Sequence, residues 1–252
     1  MMAVLTADHY ITETAGFRQA LKAAAHVAEE GRLVVLGIKP TSPSTGYGYI
    51  HQGASLDTVD GSPAFQVERF VEKPDLETAT RMMESGEYLW NSGMFIWRVD
   101  RILGEFERQM PEFYAQLTEV DAALGMPAYA TTLNRVWPQV AKQTIDYGVM
   151  EGAKDVAVIP VNIGWTDVGS WGSLLTLLPA DENGNMLIGP HIGINTRDTL
   201  TFSEKRLIAT IGVQGLVIVD TEDALLVCPK EQEQHVRELV NKLKSDGFSQ
   251  WL

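Results

Sequence analysis

The chain has 252 residues, of which 45% are hydrophobic and 21% charged, so it is long and apolar enough to fold as one large domain with a smaller appendage. Its formal net charge is −13, from 20 basic and 33 acidic residues. Such an acidic surface repels a phosphate backbone, and we therefore expect no nucleic acid partner. A phosphorylated small molecule would need a metal ion or well-placed lysines to bind here.

No feature of the sequence points to a membrane or an oxidising compartment. No apolar run approaches the ~20 residues that span a bilayer. Met1–Asp8 lack the basic flank and the long apolar stretch of a signal peptide. The single cysteine, Cys228, excludes an internal disulfide. We therefore expect a cytoplasmic protein without a membrane partner.

A strand, a helix and a second strand are predicted at the start of the chain. Ala3–Leu5 is a short apolar strand whose end leads to Asp8. The helix begins at Thr14, carries apolar residues at helical spacing and ends at Gly31. Arg32–Ile38 is a second apolar strand. Units of this kind build parallel sheets, so the sequence predicts an α/β fold.

The middle of the chain is predicted to continue this alternation of strands and helices. The predicted strands are Tyr47–His51, Phe65–Glu72, Tyr88–Trp97 with a break at Asn91-Ser92-Gly93, and Asp155–Pro160. The predicted helices run from Asp75 to Gly86, from about Val99, from Pro111 and over Trp171–Leu178.

The composition changes after Pro179, where a turn cluster at residues 181–185 precedes short apolar runs separated by turns. These runs are Ile192–Asn195, Leu200–Phe202, Leu207–Ile211, Leu216–Asp220 and Ala224–Cys228. A final helix is predicted over Glu231–Lys244, and no internal repeat is apparent. The sequence therefore predicts two domains, an α/β body at residues 1–180 and a small, mostly β module at residues 181–252.

Two aspartates follow strands of the predicted sheet and are candidate metal ligands. Common signatures such as a phosphate loop, GxGxxG, HExxH and GxSxG are absent from the sequence. Ligands of open α/β sheets bind beyond the carboxyl ends of the strands. Asp8 and Asp167 lie in such positions and could together hold Mg²⁺, which prefers carboxylate and phosphate oxygens. A helix cap or a turn explains each aspartate equally well.

Four further residues are candidates for binding a sugar phosphate. At the end of a strand, Glu72 could accept hydrogen bonds from sugar hydroxyls and Lys73 could contact a phosphate. Gly48 would let a ligand approach the backbone closely, and Asn91 places an amide in an aromatic strand. A solvated strand end and a tight bend explain the first three residues without any ligand.

Seven segments of the chain, taken in order, form a specific set. They are Thr6–Ile11, Gly37–Thr41, Thr45–Ile50, Phe70–Pro74, Trp90–Phe95, Thr144–Glu151 and Gly164–Trp171. In sequence and order they resemble the mannose-1-phosphate guanylyltransferases, also called GDP-mannose pyrophosphorylases. The resemblance extends over essentially the whole chain, and the Asp167–Trp171 block points to the mannose branch of the sugar-phosphate nucleotidyltransferases.

The resemblance implies a Rossmann-like nucleotide-diphospho-sugar transferase fold followed by a small, mostly β module. The implied reaction transfers GMP from GTP to α-D-mannose 1-phosphate and gives GDP-mannose and pyrophosphate. By this resemblance, Asp8 and Asp167 match the Mg²⁺-binding pair of the family. Lys73 matches the lysine that contacts the sugar phosphate, and these three residues are the expected catalytic ones.

The same resemblance implies a sugar pocket and a possible dimer contact. Gly48, Glu72 and Asn91 match positions that line the pocket, with Lys73 as a fourth substrate-binding residue. Asp146-Tyr147 lies in a family motif whose role is expected to be mainly structural. The C-terminal strands and helix could form a homodimer contact or cap the body.

The sequence departs from the family at its start. Family members open with a glycine-rich loop of the form GGxGTRLxPLSR, which holds the triphosphate, whereas this sequence begins at the metal-binding strand. We therefore expect an N-terminally truncated member that is inactive by itself. Two alternatives stay open: a non-catalytic sugar-phosphate-binding or regulatory module, and a nucleotidyltransferase for another hexose 1-phosphate, such as glucose 1-phosphate.

Overall fold

The computed structural model describes residues 1–169, 171, 174 and 177–251. The chain divides into two compact units, Met1–Trp165 and Thr166–Leu252. The predicted helix over Trp171–Leu178 includes residues that lie outside the described part of the chain. The division into domains at residues 1–180 and 181–252 stays a prediction.

The elements of the first unit follow the predicted order. Its strands are β1 (Met2–Val4), β2 (Tyr10–Ile11), β3 (Leu33–Ile38), β4 (Gly48–Ser55), β5 (Phe65–Glu72), β6 (Tyr88–Trp97) and β7 (Val156–Val161), with β8 (Trp165–Thr166) at its end. Its helices are α1 (Thr14–Glu29), α2 (Leu76–Ser85), α3 (Val99–Gln109), α4 (Pro111–Ala122) and α5 (Tyr129–Val136). A 3₁₀ turn at Trp137–Gln139 and a π-helix at Asp146–Met150 complete the unit. These two elements, the short strands β2 and β8, and α5 were not predicted.

The central sheet of the first unit is mixed rather than parallel. Its strand order is β1-β6-β3-β7-β5-β4, with a further pairing between β6 and β4. Only the β3–β7 pair is parallel among the described pairs of this sheet. Strands β1 and β3 do run in the same direction, but β6 lies between them and is antiparallel to both. The predicted strand–helix–strand unit is thus present, with a third strand inserted.

The side chains of β3 alternate between two hydrophobic layers, which explains why every residue of this strand is buried. Val34, Leu36 and Ile38 belong to the layer that includes the alanine-rich face of α1. Leu33 and Val35 belong to the opposite layer, which includes residues of α3 and of the π-helix. The first unit is therefore a sheet between two helical layers, as the α/β prediction requires.

The second unit is a small, mostly β module, as predicted. Its strands are β9 (Met186–Ile188), β10 (His191–Ile194), β11 (Leu200–Ser203), β12 (Ile208–Ile211), β13 (Leu216–Asp220) and β14 (Leu225–Pro229). They are followed by a 3₁₀ segment at Lys230–His235, by α6 (Val236–Ser245) and by a 3₁₀ turn at Ser249–Trp251.

Contrary to the sequence prediction, the second unit contains a structural repeat. Pairs β10–β12 and β11–β13 are parallel, and β9 lies parallel to β11 on the other edge. His191 pairs with Ile208, Arg197 with Gln214 and Leu200 with Val217, so partners along these two coils are seventeen residues apart. Successive coils therefore stack as in a β-helix. The repeat is not apparent in the sequence because the strand register recurs while the residue types do not.

No helix in the described part of the chain is long and apolar enough to cross a membrane.

A buried carboxylate on α3 ties that helix to the start of β3. Glu105 is only 3% exposed and accepts hydrogen bonds from Arg101, Arg108 and Gln109. Arg101 also donates to the carbonyl of Gly31 at 3.0 Å. Charged groups at such depth are stable only when they are paired and hydrogen-bonded, as they are here.

The same network makes folding dependent on pH. Burial acts to raise the pKa of Glu105, but the hydrogen bonds from Arg101, Arg108 and Gln109 outweigh it and lower the pKa from its ordinary 4.5. The unfolded chain therefore binds more protons than the folded chain as the pH falls. The stabilisation by Glu105 is present above about pH 4.5 and is lost as the pH falls through the folded-state pKa.

We predict that Glu105→Gln lowers the free energy of unfolding by about 3 kcal/mol at pH 7, because two arginines lose their buried carboxylate. Glu107→Gln, an exposed neighbour on α3, should change it by less than about 0.5 kcal/mol. Denaturant unfolding at pH 7 and at pH 4 measures both, and the Glu105→Gln deficit should shrink at the lower pH. Equal losses in the two variants, or a deficit that grows with acidity, would contradict this.

Candidate active site

The strand β6 is continuous but carries a bulge where the sequence predicts a break. Its register against β3 shifts between Val35 and Gly37. The hydroxyl of Ser92 donates to the carbonyl of Leu36 at 2.6 Å and so replaces a missing ladder bond. Gly93 has a φ of +69°, which only glycine adopts without strain. Bulges of this kind redirect side chains and are common beside active sites.

Three of the predicted sugar-pocket residues meet at this bulge. Gly48 and Glu72 are paired across β4 and β5. A Cβ on Gly48 would lie 2.3 Å from Oε2 of Glu72 and 3.4 Å from Cβ of Asn91. The absence of a side chain at Gly48 therefore makes room for the carboxylate, and the acceptor of Glu72 and the amide of Asn91 share one small area of the sheet.

Lys73 lies at the edge of the same area, on a strained piece of backbone. Its φ is +46°, a value uncommon for a residue with a side chain. Its amide donates to the carbonyl of Tyr47 at 3.2 Å, which closes the end of the β4–β5 hairpin. Its ammonium is 3.2 Å from Oε1 of Glu72 and more than half exposed. Strain next to a candidate site points to a functional position for the lysine.

The amide of Asn91 is held at both ends. Its Oδ1 accepts from the backbone N–H of Gly93 at 3.0 Å, and its Nδ2 donates to Oδ1 of Asp146 at 2.7 Å. Asp146 begins the π-helix and is partly buried. The sequence predicted a mainly structural role for Asp146 and did not predict this contact.

An aromatic cluster lies beside these polar residues. The ring of Tyr47 packs edge-on against Trp90 at 4.9 Å and against Trp165 at 5.6 Å, measured between centroids. The indole N–H of Trp165 donates to Nδ1 of His9 at 2.9 Å. Apolar ring faces next to a few convergent polar groups are typical of carbohydrate and small-molecule sites.

The loop that carries Tyr47 is fixed by a buried phenol. Burial raises the pKa of Tyr49 above its ordinary 10.0, so its hydroxyl stays protonated. It donates to the carbonyl of Ser44 at 2.9 Å. This hydrogen bond holds the loop from Ser44 to Tyr47 against the sheet.

The segment that leads to Asp8 passes beside the β6 bulge. Asp8 is exposed, in the turn after β1, and β1 pairs with the β6 residues that follow the bulge. The methyl carbon of Thr6 is 3.7 Å from the position of a Cβ on Gly93. The first unit thus brings Gly48, Glu72, Lys73 and Asn91 together, with the segment that leads to Asp8 alongside.

Asp167 belongs to the second unit. Its carboxylate lies over Gly169, where a Cβ would be 2.6 Å from Oδ2. The intervening Val168 has a φ of +51°, a genuine outlier for a β-branched residue. This strained backbone and the missing side chain at Gly169 both accommodate the carboxylate.

The donor chemistry of the two aspartates fits Mg²⁺. Within the described ranges, no group of three or more His, Cys, Asp or Glu side chains could hold a metal ion by itself. Magnesium, however, is usually bound by one or two carboxylates together with water and substrate phosphates. Asp8 in the first unit and Asp167 in the second each offer a carboxylate of the kind that this ion prefers.

Sequence reasoning missed two parts of the site, the contact of Asp146 with Asn91 and the aromatic cluster. A signal for the first was present, since Asp146 shortly precedes Val149 and Met150, two apolar residues that are buried. A signal for the second was the tryptophan two residues before Asp167.

Comparison with known families and structures agrees with this geometry. The sequence profile of the family described as nucleotidyl transferase matches residues 1–184. A second profile, described as the MannoseP isomerase/GMP-like beta-helix domain, matches residues 189–243. The chain therefore belongs to the nucleotidyl transferase family.

The relatives of this chain confirm the predicted resemblance to the mannose-1-phosphate guanylyltransferases. The chain is 40% identical over 252 residues to the mannose-1-phosphate guanylyltransferase of Klebsiella pneumoniae, covering 100% of this chain and 53% of the relative. It is 42% identical over 251 residues to the xanthan biosynthesis protein XanB of Xanthomonas campestris pv. campestris (strain B100), covering 99% and 52%. The chain thus spans about half the length of the curated relatives it matches.

A solved structure shows the same fold. The crystal structure described as mannose-1-phosphate geranyltransferase from Thermus thermophilus superimposes with a TM-score of 0.82 at 34% identity. The match covers 96% of this chain and 69% of that one. The predicted α/β fold with a small β module after it is confirmed.

We predict that Gly48→Ala displaces the carboxylate of Glu72 with little loss of stability. The new methyl group would collide with the far end of a flexible side chain, which can rotate away, so we expect a cost below about 1 kcal/mol. Gly46→Ala is the matched control, because its Cβ would make only an ordinary 3.6 Å contact with Ser44. Crystal structures and denaturant unfolding of both variants test this. An unmoved Glu72 in Gly48→Ala would show that the carboxylate does not depend on the glycine.

Proposed function

We propose that this chain is a mannose-1-phosphate guanylyltransferase, which transfers GMP from GTP to α-D-mannose 1-phosphate and releases pyrophosphate. The observation that carries the proposal is the meeting of Gly48, Glu72 and Asn91 at the β6 bulge, with Lys73 at its edge. The name of the relative from Klebsiella pneumoniae, mannose-1-phosphate guanylyltransferase, supports the same reaction. The expectation that this chain is inactive by itself finds no support in the comparisons, so activity is the quantity to measure.

The proposed sugar-phosphate site uses complementary groups. The carboxylate of Glu72 accepts hydrogen bonds from sugar hydroxyls, and the amide of Asn91 donates one. The ammonium of Lys73, 3.2 Å from Oε1 of Glu72, is exposed and can contact the sugar phosphate as a point charge. The aromatic cluster of Tyr47 and Trp90 supplies the apolar wall.

A divalent cation completes the proposed site. Nucleotidyl transferases of this family generally use a divalent metal. We propose Mg²⁺, for which Asp8 of the first unit and Asp167 of the second are each a candidate carboxylate ligand, and its charge would offset the repulsion between the phosphates of the two substrates. This assignment also explains how a chain of net charge −13 binds two anions.

The proposed reaction needs alignment more than covalent chemistry. A phosphate oxygen of mannose 1-phosphate forms a bond to the α-phosphorus of GTP, and the bond from that phosphorus to the bridging oxygen breaks, so that pyrophosphate leaves. The residues of this chain contribute by fixing the sugar phosphate: Glu72 and Asn91 orient the ring, and Lys73 holds the attacking phosphate.

Two further predictions stay untested, the location in the cytoplasm and the homodimer formed through the C-terminal module.

The test measures GDP-mannose and pyrophosphate formed from GTP and mannose 1-phosphate in MgCl₂. We expect Glu72→Gln to lower kcat/KM by about 10²-fold, because a hydroxyl loses its charged acceptor. Glu77→Gln, an exposed glutamate on α2, is the matched control and should leave the rate unchanged. Chelation of the metal should abolish the reaction, and Asp167→Asn should reduce it by at least about 10²-fold.

The outcomes separate the alternatives. Absence of product from a folded chain, under conditions in which a relative is active, contradicts the proposal and favours a non-catalytic binding module. Faster turnover of glucose 1-phosphate than of mannose 1-phosphate favours a nucleotidyltransferase for the other hexose. An Asp167→Asn variant with the full rate would remove this residue from the metal site.

A further inference from the structure

The two hydrogen bonds of Asn91 fix which end of its amide is the donor. Asp146 offers a carboxylate, which accepts, and Gly93 offers a backbone N–H, which donates. A flipped amide would place oxygen against oxygen and N–H against N–H, so the orientation follows from the partners themselves. One N–H of Nδ2 is used by Asp146, and the other is left with a fixed direction.

Asp146 is itself held by the hydrophobic core. The π-helix that it begins carries Val149 and Met150, which are 0% and 1% exposed. The side-chain amide of Gln109 donates to the carbonyl of Val149 at 3.0 Å. A Cβ on Gly148 would lie 2.8 Å from the sulfur of Met110, which shows how closely this turn packs against its neighbours. The acceptor for Asn91 is therefore in place before any ligand binds.

The side chains of Asn91 and Glu72 start from the same small area of the sheet. The Cβ of Asn91 and the carboxylate of Glu72 both lie within 3.5 Å of the same point, the position of a Cβ on Gly48. An oriented amide donor and a carboxylate acceptor on neighbouring side chains match two neighbouring hydroxyls of a sugar ring, one of which accepts while the other donates. Because the amide of Asn91 is already oriented, sugar binding does not have to pay the entropy cost of ordering it.

We propose that Asp146 is a positioning residue for the hexose 1-phosphate: it holds the amide of Asn91 in the donor orientation that binds a sugar hydroxyl. This rests on the proposed function. Asp146 acts through Asn91 and touches neither substrate. A π-helical turn, which is rare and frequently functional, is the device that places its carboxylate next to β6.

The test compares Asp146→Ala with Asp146→Asn in the full chain. Asp146→Ala should raise the KM for mannose 1-phosphate about tenfold, because the amide loses one of the two hydrogen bonds that fix its orientation. The KM for GTP and the kcat should stay within about twofold. Asp146→Asn retains an oxygen that accepts from Asn91 and should restore the KM to within about threefold. Asp121→Ala, an exposed aspartate on α4, is the matched control and should change nothing.

A second measurement observes the amide directly. In protein labelled with ¹⁵N-asparagine, the side-chain signals of Asn91 are assigned by their loss in Asn91→Ala. In the wild type and in Asp146→Asn, we expect one of the two N–H signals to be strongly shifted and to exchange slowly with water. In Asp146→Ala, we expect both signals at the chemical shifts of an ordinary solvent-exposed amide.

The results distinguish this inference from the proposed function. A wild type that neither turns over nor binds mannose 1-phosphate overturns both. An active wild type with an unchanged KM in Asp146→Ala overturns the inference alone. Parallel changes in both KM values, a lower melting temperature and no rescue by Asp146→Asn would show a merely structural role and would also overturn it.

Discussion

The organisation of the first unit depends on the position of β6. This strand pairs with β3 along one edge and with β1 and β4 along the other, since Trp90 and Ile96 each have partners on both sides. It therefore fixes three other strands, and with them the loops that follow each one. Its bulge at residues 91–93 is the irregularity around which the candidate site forms. A strand in the middle of a sheet is a rigid support, so side chains placed by its bulge are positioned with little freedom.

Some residues of the candidate site adopt conformations that are unfavourable locally, and contacts with the rest of the fold stabilise them. Gly48 lacks a side chain, so Glu72 has room, and Lys73 adopts a backbone angle that costs free energy. These local costs are offset by the packed core, in which the π-helix buries Val149 and Met150. Such conflicts between local preference and the overall fold are expected at functional sites and are rare elsewhere.

Much of the fold could be predicted from the sequence because its signals are local. Asp75 caps α2 and Gly86 ends it in the left-handed conformation, as their residue types predict. The insertion of β6 between β1 and β3 could not be predicted, since strand order depends on contacts between distant segments. The seventeen-residue coil of the second unit was missed for a related reason: its coils share register but few residue types. In the candidate site, the residue types of Glu72, Lys73 and Asn91 predicted binding of a sugar phosphate. The hydrogen bond from Asn91 to Asp146 joins residues 55 positions apart and is visible only in the three-dimensional structure.

The central claim is that the first unit forms a site for mannose 1-phosphate at the β6 bulge. Calorimetric titration of mannose 1-phosphate into this chain, with and without Mg²⁺, tests it most directly. We expect saturable binding at one site that strengthens when Mg²⁺ is present. A chain that unfolds cooperatively, and is therefore folded, but gives no heat of binding under either condition would contradict this claim.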